Sequence, residues 1–560
     1  MQPPYHPTMK AILFSLLLIL LGSCSKKDSP APVNPPAPEN FALQSATING
    51  VSASSTLRGV ALQQAVRLQF SAPVKRSTAS SILLNAANGS AAPFTINYQN
   101  GDSVLIVQPS SNLLPLTQYN LTVSTGLQSV KGGNLPNSTT VSFVTGIDSS
   151  DKFPMLTDTA LVELVQRQTF KYFWEFGHPV SGLARERNTS GDLVTSGGSG
   201  FGVMAILVGI HRGFITRAEG LNRLQKIVSF LKNTAQDFHG AYPHWLNGAN
   251  GQVIPFSTKD NGADLVETSY LIQGLLCARQ YFNQADIMET ALRSDINSIW
   301  NDVEWNWFRK NDENVLYWHW SPNNLWDINM QIKGWNEALI TYVLAAASPT
   351  FSIPKPVYDN GWASNGTMRN GNTYFGIQLP LGPNLGGPLF FEHYSFLGIN
   401  PFGLLDAYAN YQTQTINHTK INYEYVKANP RNYYGYSDQS WGLTASDIPN
   451  GYAASSPTND LGVIAPTAAL SSFPYTPAES MKALKFFYYK LGDRLWGEYG
   501  FKDAFSLHDP WFANSYLAID QGPIIVMIEN YRSGLLWNLF MSCPEVKSGM
   551  RTLGFQSPYL

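Results

Sequence analysis

The chain divides into two parts that differ in the spacing of their hydrophobic residues. In residues 42–147, apolar and polar side chains alternate along short segments such as "AVRLQF" and "FTINYQ", and turn residues separate these segments. Alternation of this kind is typical of half-buried strands, and several short strands in about 100 residues predict an Ig-like β-sandwich. In residues 157–560, apolar side chains instead recur every three or four positions, which predicts an all-α domain.

The second part contains a long series of predicted helices. In the first of them, residues 158–176, the apolar side chains fall largely on one face. One large helical domain with long aromatic loops favours an (α/α) barrel over a bundle with short loops. The other predicted helices span residues 203–212, 217–236, 264–282, 285–300, 331–347, 394–411, 460–471, 477–491, 511–518 and 522–540.

The N-terminal segment has the features of an export signal. Its apolar run, Ala11–Leu21, is too short to span a bilayer and matches the hydrophobic region of a signal peptide over residues 1–23. The sequence Leu21-Gly22-Ser23-Cys24 resembles the bacterial lipobox, which predicts lipidation of Cys24 and a membrane anchor there. An ordinary secreted protein with a chance cysteine is the alternative.

The segments that follow the lipobox predict the cellular location of the protein and the way its domains are connected to the membrane anchor. Lys26-Lys27-Asp28 is similar to the surface-export signal of Bacteroidetes-type lipoproteins, so we expect an outer-membrane lipoprotein exposed at the cell surface. Residues 24–41 are rich in proline and predict a semi-rigid tether. Residues 148–156 predict a linker between the sandwich and the helical domain.

Composition and charge narrow the classes of partner. The 560 residues carry a net charge of −2, and no basic block interleaved with aromatic residues occurs, so nucleic acid is not an expected partner. Charged residues make up 14% and aromatic residues 13%, with 14 tryptophans, which suits stacking on sugar rings as well as core packing. Beyond Cys24, only Cys277 and Cys543 remain, and they set no disulfide framework.

No sequence motif predicts a cofactor or a metal ion. The nine histidines form no compact ligand set such as HExxH, and no dinucleotide fingerprint is present. The glycine-rich segment 197–200 lacks the lysine of a P-loop and predicts a turn or a close backbone approach. The segment Asp520-Gln521-Gly522-Pro523 is typical of a helix N-cap followed by a first-turn proline.

The stretch "KDNGADLVETSYLIQGLL" places three carboxylates before an apolar helix. Asp264 and Glu267 have the spacing of a capping box, with Asp in place of Ser or Thr. Asp260, Asp264 and Glu267 would also share one face of a helix, where mutual repulsion raises the pKa of at least one of them and suits a general acid. Asn261-Gly262 instead predicts a turn after Asp260. The residues alone leave both interpretations open.

Glycoside chemistry needs a second carboxyl group across the sugar. Glu337 lies just after Trp335 and at the start of an apolar helix, although a first-turn glutamate is also common for reasons of helix-dipole electrostatics. Aromatic loops flank these positions, including Trp245 and the run Tyr317–Trp320, in which alternation would place Trp318 and Trp320 on one face.

Long segments of the helical part resemble the bacterial glycoamylase-like family now grouped as glycoside hydrolase family 144. The resemblance covers nearly all of residues 160–540. It implies an (α/α)6 barrel and inverting hydrolysis of β-1,2-glucan or of sophoro-oligosaccharides. The matching segments are "RQTFKYFWEFGHPVSGLARER", "TSGGSGFGVMAILVGIHRGFITR", "GAYPHWLNGANG", "WNEAL", "FFEHYSFLGINP", "WGLTASD", "GVIAPTAAL" and "AIDQGPIIVMIENYRSGLLW".

The resemblance also implies which residues act. The family's acidic run and its later glutamate correspond here to Asp260, Asp264, Glu267 and Glu337. We expect Glu337 or Asp264 as the general acid, and Glu267 or Asp260 to position or activate water. Expected substrate contacts, each of which could equally be a structural polar group or a core aromatic, are Arg185, Glu186, Trp245, His319, Trp320, His393 and Asp447.

Three alternatives to a β-1,2-glucan hydrolase remain open at this point. A glycan-binding lipoprotein of the outer membrane would also be helical and rich in aromatic residues, but it would need no carboxylate cluster. A hydrolase of another glucan linkage, including a true glucoamylase, would share the same acid–base groups. A polysaccharide lyase would need cationic residues to neutralise a uronate, which the charge balance disfavours. We expect a monomer, and we expect the Ig-like domain to act as a spacer or to alter access to the cleft.

Overall fold

The computed structural model describes residues 37–560. The predicted signal peptide, Cys24 and most of the tether lie outside the described residues. None of the helices in residues 37–560 has both the length and the apolar character needed to cross a membrane.

Residues 41–146 form a β-sandwich, as the alternating pattern predicts. One sheet has the strand order β2-β1-β4-β7-β6 and the other β3-β9-β8-β5, and β3 runs parallel to β9. Inward-facing side chains such as Leu68, Leu121 and Phe143 are fully buried between the sheets. The strands are β1 (Leu43–Ile48), β2 (Val51–Ser52), β3 (Leu57–Val60), β4 (Val66–Phe70), β5 (Ile82–Ala86), β6 (Phe94–Gln99), β7 (Val104–Pro109), β8 (Gln118–Val123) and β9 (Thr139–Thr145).

The rest of the described chain is mainly helical. Helix α2 packs against α1, α3, α4 and α12, and α4 also packs against α5, α6 and α13. The helices are α1 (Asp158–Trp174), α2 (Ser196–His211), α3 (Arg217–Asn233), α4 (Leu265–Tyr281), α5 (Ile287–Asp302), α6 (Leu339–Ala347), α7 (Lys355–Asn360), α8 (Tyr411–Ala428), α9 (Pro466–Leu470), α10 (Pro477–Lys485), α11 (Gly492–Leu495), α12 (Ala518–Ser533), α13 (Leu535–Met541) and α14 (Pro544–Leu553).

Short strands, in one three-stranded sheet and five pairs, connect the helices. They are β10 (Leu193–Thr195), β11 (Trp245–Asn247), β12 (Val253–Ile254), β13 (Ala263–Asp264), β14 (His319–Trp320), β15 (Thr373–Tyr374), β16 (Ile377–Gln378), β17 (Ala445–Ile448), β18 (Gly451–Ala454), β19 (Trp496–Gly497), β20 (Gly500–Phe501), β21 (Phe505–Ser506) and β22 (Trp511–Phe512).

Glycines allow the two central helices to approach closely. A Cβ on Gly200 of α2 would lie 2.1 Å from the Tyr270 carbonyl oxygen, and one on Gly274 of α4 would lie 2.2 Å from the Gly200 carbonyl oxygen. Neither position has room for a side chain, so the predicted close backbone approach is confirmed. The glycine-rich segment itself is helical, however, and forms the first turns of α2 rather than a separate turn.

Several predicted helix positions are wrong. Residues 511–517 contain strand β22 instead of a helix, because Trp511 pairs with Ser506 in a hairpin, and helix α12 begins only at Ala518. Residues 394–411 contain only a 3-10 turn at Ser395–Leu397, and the helix follows it as α8. Helix α8 escaped prediction because half of its ten buried residues, Gln414, Thr415, His418, Thr419 and Asn422, are polar.

Other helices are shorter or divided. Helix α6 begins at Leu339 rather than near residue 331, because Gly334 takes a positive φ and a turn follows it. The predicted helix 460–471 is reduced to α9, and 522–540 divides into α12 and α13 at Gly534, whose φ is +69°. The turn before Leu339 leaves Glu337 in a loop that ends at the helix.

Candidate active site

A cavity of about 450 Å³ opens in the helical domain and contains three carboxylates, those of Glu186, Glu267 and Glu337. Most of its wall is aromatic and apolar, which suits the faces of sugar rings. The other residues that line it are Arg187, Thr195, His244, Trp245, Phe256, Tyr270, Trp318, Phe390, Tyr394, Ala445, Tyr452, Ala454, Leu517 and Ile519.

Asp264 begins helix α4 and is fully buried. Its Oδ1 accepts hydrogen bonds from the backbone N–H groups of Val266 (3.0 Å) and Glu267 (2.9 Å), so the predicted N-cap is present. The reciprocal bond of a capping box is absent, because the Asp264 N–H donates to the Tyr242 carbonyl and the Glu267 carboxylate turns toward Gly197. The run is therefore a helix cap and part of a charged cluster at once.

Two histidines face the buried carboxylates. His244 Nδ1 lies 3.0 Å from Asp264 Oδ2, and His319 Nδ1 lies 3.4 Å from Asp260 Oδ2. Burial favours the neutral imidazole, but the carboxylates of Glu267, Asp264 and Asp260 outweigh it and raise the pKa of His244 to about 9. Burial also opposes the charged form of His319, but the carboxylates of Asp260 and Asp264 outweigh it and raise the pKa of His319.

The two imidazolium groups in turn act on Asp264. Burial opposes its charged form, but the hydrogen bond with His244 and the positive charges of His319 and His244 hold the pKa of Asp264 below its usual range. Asp264 therefore stays ionised. Asp260 lies on a turn, with its N–H donating to the Ser257 carbonyl at 3.0 Å, so the single helical face shared by all three carboxylates does not exist.

Glu267 projects from the first turn of α4 into the cavity. Its Oε2 accepts a hydrogen bond from the Gly197 N–H at 2.8 Å and a longer one from the Thr195 hydroxyl at 3.3 Å. Gly197 is in the first turn of α2, where the helix dipole favours a carboxylate. Burial nevertheless raises the pKa of Glu267, and the neighbouring Asp264 charge raises it further.

Glu337 occupies the loop that leads into α6. Its backbone carbonyl accepts hydrogen bonds from the Ser395 hydroxyl and, at 3.5 Å, from the Tyr270 hydroxyl. These bonds fix the position of the residue while its half-buried side chain faces the cavity. Desolvation, reinforced by the charges of Glu267 and Asp264, raises the pKa of Glu337 to about 7.

A second cavity, of about 550 Å³, adjoins the first, and both are lined by Arg187 and Tyr452. Arg187 Nε lies 2.9 Å from Glu186 Oε2, and its Nη1 lies 3.3 Å from both carboxylate oxygens of Asp447. Asp447 also accepts a hydrogen bond from the Ser515 hydroxyl at 2.5 Å. The second cavity is further lined by Asn188, Thr189, Ile448, Gly451, Trp511, Phe512, Ala513 and Asn514.

Asp503 and Asp520 form a buried carboxyl pair behind Asp447. Asp503 Oδ2 accepts the Asp447 N–H at 2.6 Å, whereas Asp503 Oδ1 and Asp520 Oδ2 have no partner among the described residues. A proton held between the two carboxyl groups would satisfy both atoms. Burial raises the pKa of Asp503 to about 7, and burial together with the Asp503 charge raises that of Asp520.

The structure brings some predicted site residues together and leaves others elsewhere. Glu186, Glu267, Glu337 and Trp245 line the first cavity, and Asp447 lines the second. Asp260, Asp264 and His319 form the charged layer behind the first cavity.

Three of the predicted substrate contacts line neither cavity. Arg185 donates to the Gly191 and Phe176 carbonyls and stacks on the Phe176 ring, so its guanidinium serves the local fold. Trp320 packs edge-on against His239, and Trp318 is the tryptophan of that strand that reaches the cavity. His393 is buried against the Ser472 hydroxyl at 3.0 Å, and burial lowers its pKa to about 3, so it is neutral.

Sequence reasoning missed several residues of the site. Arg187 is adjacent to Glu186 and pairs with Leu517 near the cavity, and no pattern in the sequence distinguished it from Arg185. Asp520 lies inside α12 and its side chain caps nothing, so the predicted N-cap is wrong; Leu517 is the N-cap residue. Tyr270, Tyr394, Tyr452 and Asp503 come from four separate elements, and no local pattern distinguishes them from core residues.

One group of described side chains could hold a metal ion. His244, Asp260 and Asp264 place potential ligand atoms within 4.8 Å of one another. The hydrogen bond between His244 and Asp264 and the contact between His319 and Asp260 also account for this cluster as an ion-paired network. The predicted absence of a metal stays a prediction.

Comparison with known proteins identifies both domains. The sequence model of the glycoamylase family matches residues 329–544, and that of a bacterial Ig-like domain matches residues 44–145. An exo-β-1,2-glucooligosaccharide sophorohydrolase (non-reducing end) of Parabacteroides distasonis is 49% identical over 428 residues, which are 72% of this chain and 59% of that protein. The chain thus spans less than two thirds of that relative.

Two solved structures are similar to this chain over most of its length. An endo-β-1,2-glucanase from Chitinophaga pinensis, in complex with sophorotriose and glucose, is 55% identical with a TM-score of 0.71, covering 72% of this chain and 100% of that one. A β-1,2-glucanase from Parabacteroides distasonis is 39% identical with a TM-score of 0.70 and covers 91% of this chain and 74% of that one. The second similarity therefore extends into the Ig-like domain.

Proposed function

Because the chain belongs to the glycoamylase-like family of glycoside hydrolases, family 144, we propose that it hydrolyses β-1,2-linked glucan or sophoro-oligosaccharides. The observation that carries this proposal is the pair of carboxyl groups of Glu267 and Glu337 at one aromatic cavity, both with raised pKa values. A sugar-binding protein without activity has no need to keep ionisable groups desolvated in this way. The relatives named above act on β-1,2-glucan or its oligosaccharides, which supports the substrate class.

We assign the role of general acid to Glu337. Because the pKa of Glu337 is about 7, its carboxyl group is protonated in about half of the molecules near neutral pH. The protonated form can donate its proton to the leaving glycosidic oxygen. Asp264 is less suited, because it stays ionised and both of its oxygens already have partners. We assign Asp264 to holding His244 charged and in position.

The side of the sugar opposite the acid needs a carboxylate to activate water. Of the other two carboxylates that line the first cavity, Glu186 is paired with Arg187, which leaves Glu267 as the group best placed to accept a proton. The Asp503–Asp520 pair supports a second assignment, because a pair that shares one proton keeps one negative charge beside the cavity. Replacement of Glu267 by glutamine and of Asp520 by asparagine distinguishes the two.

We also propose that the helices close into an (α/α)6 barrel. Two rows of buried helices support this proposal: α2, α4 and α6 pack in sequence, and so do α2, α12 and α9. Helix α2 belongs to both rows, and the turn Ser395–Leu397 contacts α6 in one row and α12 in the other. An experimental structure in which these helices form an open stack would contradict the proposal.

Product analysis on a panel of β-1,2-, β-1,3-, β-1,6- and α-1,4-glucans tests the proposed substrate. We expect release of sophoro-oligosaccharides from β-1,2-glucan and none from the other three polymers. Release from α-1,4-glucan alone would establish a glucoamylase. Retention of glucan without cleavage, unchanged in a Glu337→Gln variant, would establish a binding protein.

The same digests report the stereochemistry. We propose inversion, with a water molecule placed between the sugar and the base, so the first product released from a β-linkage is the α-anomer. Proton NMR recorded during the first turnovers distinguishes the anomers before mutarotation mixes them. A β-anomer as the first product would assign a retaining mechanism instead.

We further propose that the mature chain is a surface-exposed outer-membrane lipoprotein anchored through Cys24. The lipobox-like sequence supports this proposal. Cells that express the full chain and are fed a labelled fatty acid should label the protein, and Cys24→Ala should abolish the label. Label retained in that variant would exclude Cys24 as the acylated residue, and resistance to external protease would argue against surface exposure.

A further inference from the structure

The hairpin of strands β21 and β22 forms one wall of the second cavity. Trp511 and Phe512 line this cavity, and Ser506 and Phe505 pair with them across the hairpin. The hairpin loop, residues 507–510, turns away from the cavity toward the Ig-like domain. The position of this loop therefore determines where the Trp511 and Phe512 rings lie relative to Arg187, which lines both cavities.

Arg58 of the Ig-like domain holds the hairpin loop directly. This residue lies on β3, and its Nε donates a hydrogen bond of 2.7 Å to the His508 carbonyl. Its Nη2 lies 3.6 Å from Asp509 Oδ1. A guanidinium that meets a carbonyl and a carboxylate at once fixes the loop in orientation as well as distance.

A second contact reaches the hairpin from another part of the Ig-like domain. The Pro115 carbonyl accepts a hydrogen bond of 3.1 Å from Arg494 Nη2. The Arg494 guanidinium in turn lies 5.6 Å from the centre of the Phe512 ring. Leu116, the next residue, is buried in the hydrophobic core of the helical domain.

The two domains also pack closely against each other at Gly59. This residue has a φ of +71°, and a Cβ at this position would lie 2.4 Å from the Tyr434 ring. The Tyr434 N–H donates to His508 Nδ1 at 3.1 Å, and His508 is the residue whose carbonyl Arg58 binds. Arg58, Gly59 and Pro115 thus converge on one hairpin of the helical domain.

We propose that the Ig-like domain completes an outer sugar-binding site in the second cavity, with Arg58 as its positioning residue. The occupant is a glucosyl unit of a β-1,2-linked chain that extends beyond the first cavity. Trp511 and Phe512 supply apolar surface for a sugar ring, and Arg187 and Asp447 supply polar groups for its hydroxyls. This inference rests on the proposed function. It adds that the Ig-like domain sets the preference of the protein for longer glucan chains.

The test compares Arg58→Ala with Arg76→Ala in the full-length protein. Arg76 makes two hydrogen bonds of 2.8 Å to Asp102 inside the Ig-like domain, so its loss tests the domain without touching the hairpin. For long β-1,2-glucan we expect Arg58→Ala to lower kcat/KM about fivefold or more, mainly through KM. For the shortest sophoro-oligosaccharide that the wild type cleaves, we expect a change of less than about twofold, and Arg76→Ala should match the wild type on both substrates.

Further measurements separate the possible failures. Trp511→Ala should show the same dependence on chain length as Arg58→Ala. If the wild type cleaves β-1,2-glucan but Arg58→Ala has equal effects on all lengths, or none, the inference is overturned and the proposed function stands. If the wild type cleaves no β-1,2-linked substrate, the proposed function fails. Hydrogen exchange of residues 505–512 then tests the anchoring alone, and exchange unchanged by Arg58→Ala would overturn it.

Discussion

Replacement of Glu337 by glutamine is expected to lower kcat by about 10²-fold or more, as the loss of a general acid does. Glutamine has the same shape and keeps the backbone that Ser395 and Tyr270 hold, so the cavity should persist. KM should change little, because the missing proton transfer belongs to the transition state. Initial rates on β-1,2-glucan, or on any substrate that the wild type cleaves, provide the measurement.

The pH dependence of the wild type links this loss to the carboxyl group. Activity should fall as the pH rises through about 7, because Glu337 then loses the proton that it donates. The residual activity of Glu337→Gln should lack this alkaline limb. Glu304→Gln serves as the control, since it removes a carboxylate that pairs with His239 at 2.8 Å and does not line the cavity. Wild-type rates in Glu337→Gln would remove Glu337 from the catalytic residues.

The same substitution should stabilise the folded protein at high pH. The pKa of Glu337 is about 7 in the folded chain against an ordinary value of 4.5, so the folded state holds a proton that the unfolded state releases between these pH values. Stability therefore falls as the pH rises through this window, by no more than about 3 kcal/mol. Glutamine has no such proton. The melting temperature of Glu337→Gln relative to the wild type should be higher at pH 8 than at pH 5.

The sequence predicted the parts of the fold that depend on local pattern. Strands such as β4 and β6 alternate in polarity, and α3 carries its apolar side chains on one face, so the strands and the helix were located closely. Helix α8 buries polar side chains such as His418, which pairs with buried Glu392 at 2.6 Å, and polarity then no longer reports burial. The segment 511–518 was predicted as a helix, but Trp511 and Phe512 pair with Ser506 and Phe505 in a hairpin, and local periodicity does not report that pairing.

The candidate site shows the same division. Asp264 and Glu267 were found because a cap and a carboxylate run are visible within a few residues. Their roles were not visible, since they depend on His244 and His319, which reach Asp264 from separate segments of the chain. Asp503 and Asp520 are 17 positions apart, and their relation depends on a shared burial that no spacing reveals. Resemblance to a family supplied the set of carboxylates, and only the structure showed which of them line the cavity.

Replacement of Asp264 by asparagine is expected to lower kcat by about 10²-fold while leaving helix α4 in place. Asparagine is as good an N-cap residue as aspartate, so its side-chain oxygen can still accept the N–H groups of Val266 and Glu267. The charge that faces His244 and His319 is lost, however, and the new amide N–H would meet the donor of His244. The imidazolium groups of His244 and His319 then lose a counter-charge that they share.

A matched control separates the cap from the charge. Asp286 caps α5 with the same two-donor geometry, through the N–H groups of Met288 and Glu289, and has no histidine partner. Asp286→Asn should therefore keep wild-type activity and cost less than about 1 kcal/mol of stability. Asp264→Asn should cost about 2–4 kcal/mol, because a buried charge pair loses one partner.

The pKa of His244 distinguishes the two roles of Asp264. If Asp264 only capped the helix, its replacement would leave that pKa unchanged. In the wild type its pKa is raised to about 9, with Glu267 and Asp264 as the main carboxylates that raise it. Asp264→Asn should lower that pKa, which NMR of the imidazole ring can follow at a temperature where the variant is fully folded. An unchanged His244 titration together with near-wild-type kcat would show that Asp264 only begins the helix. A lowered pKa together with the rate loss would show that the charge behind the cavity, and not the cap, supports catalysis.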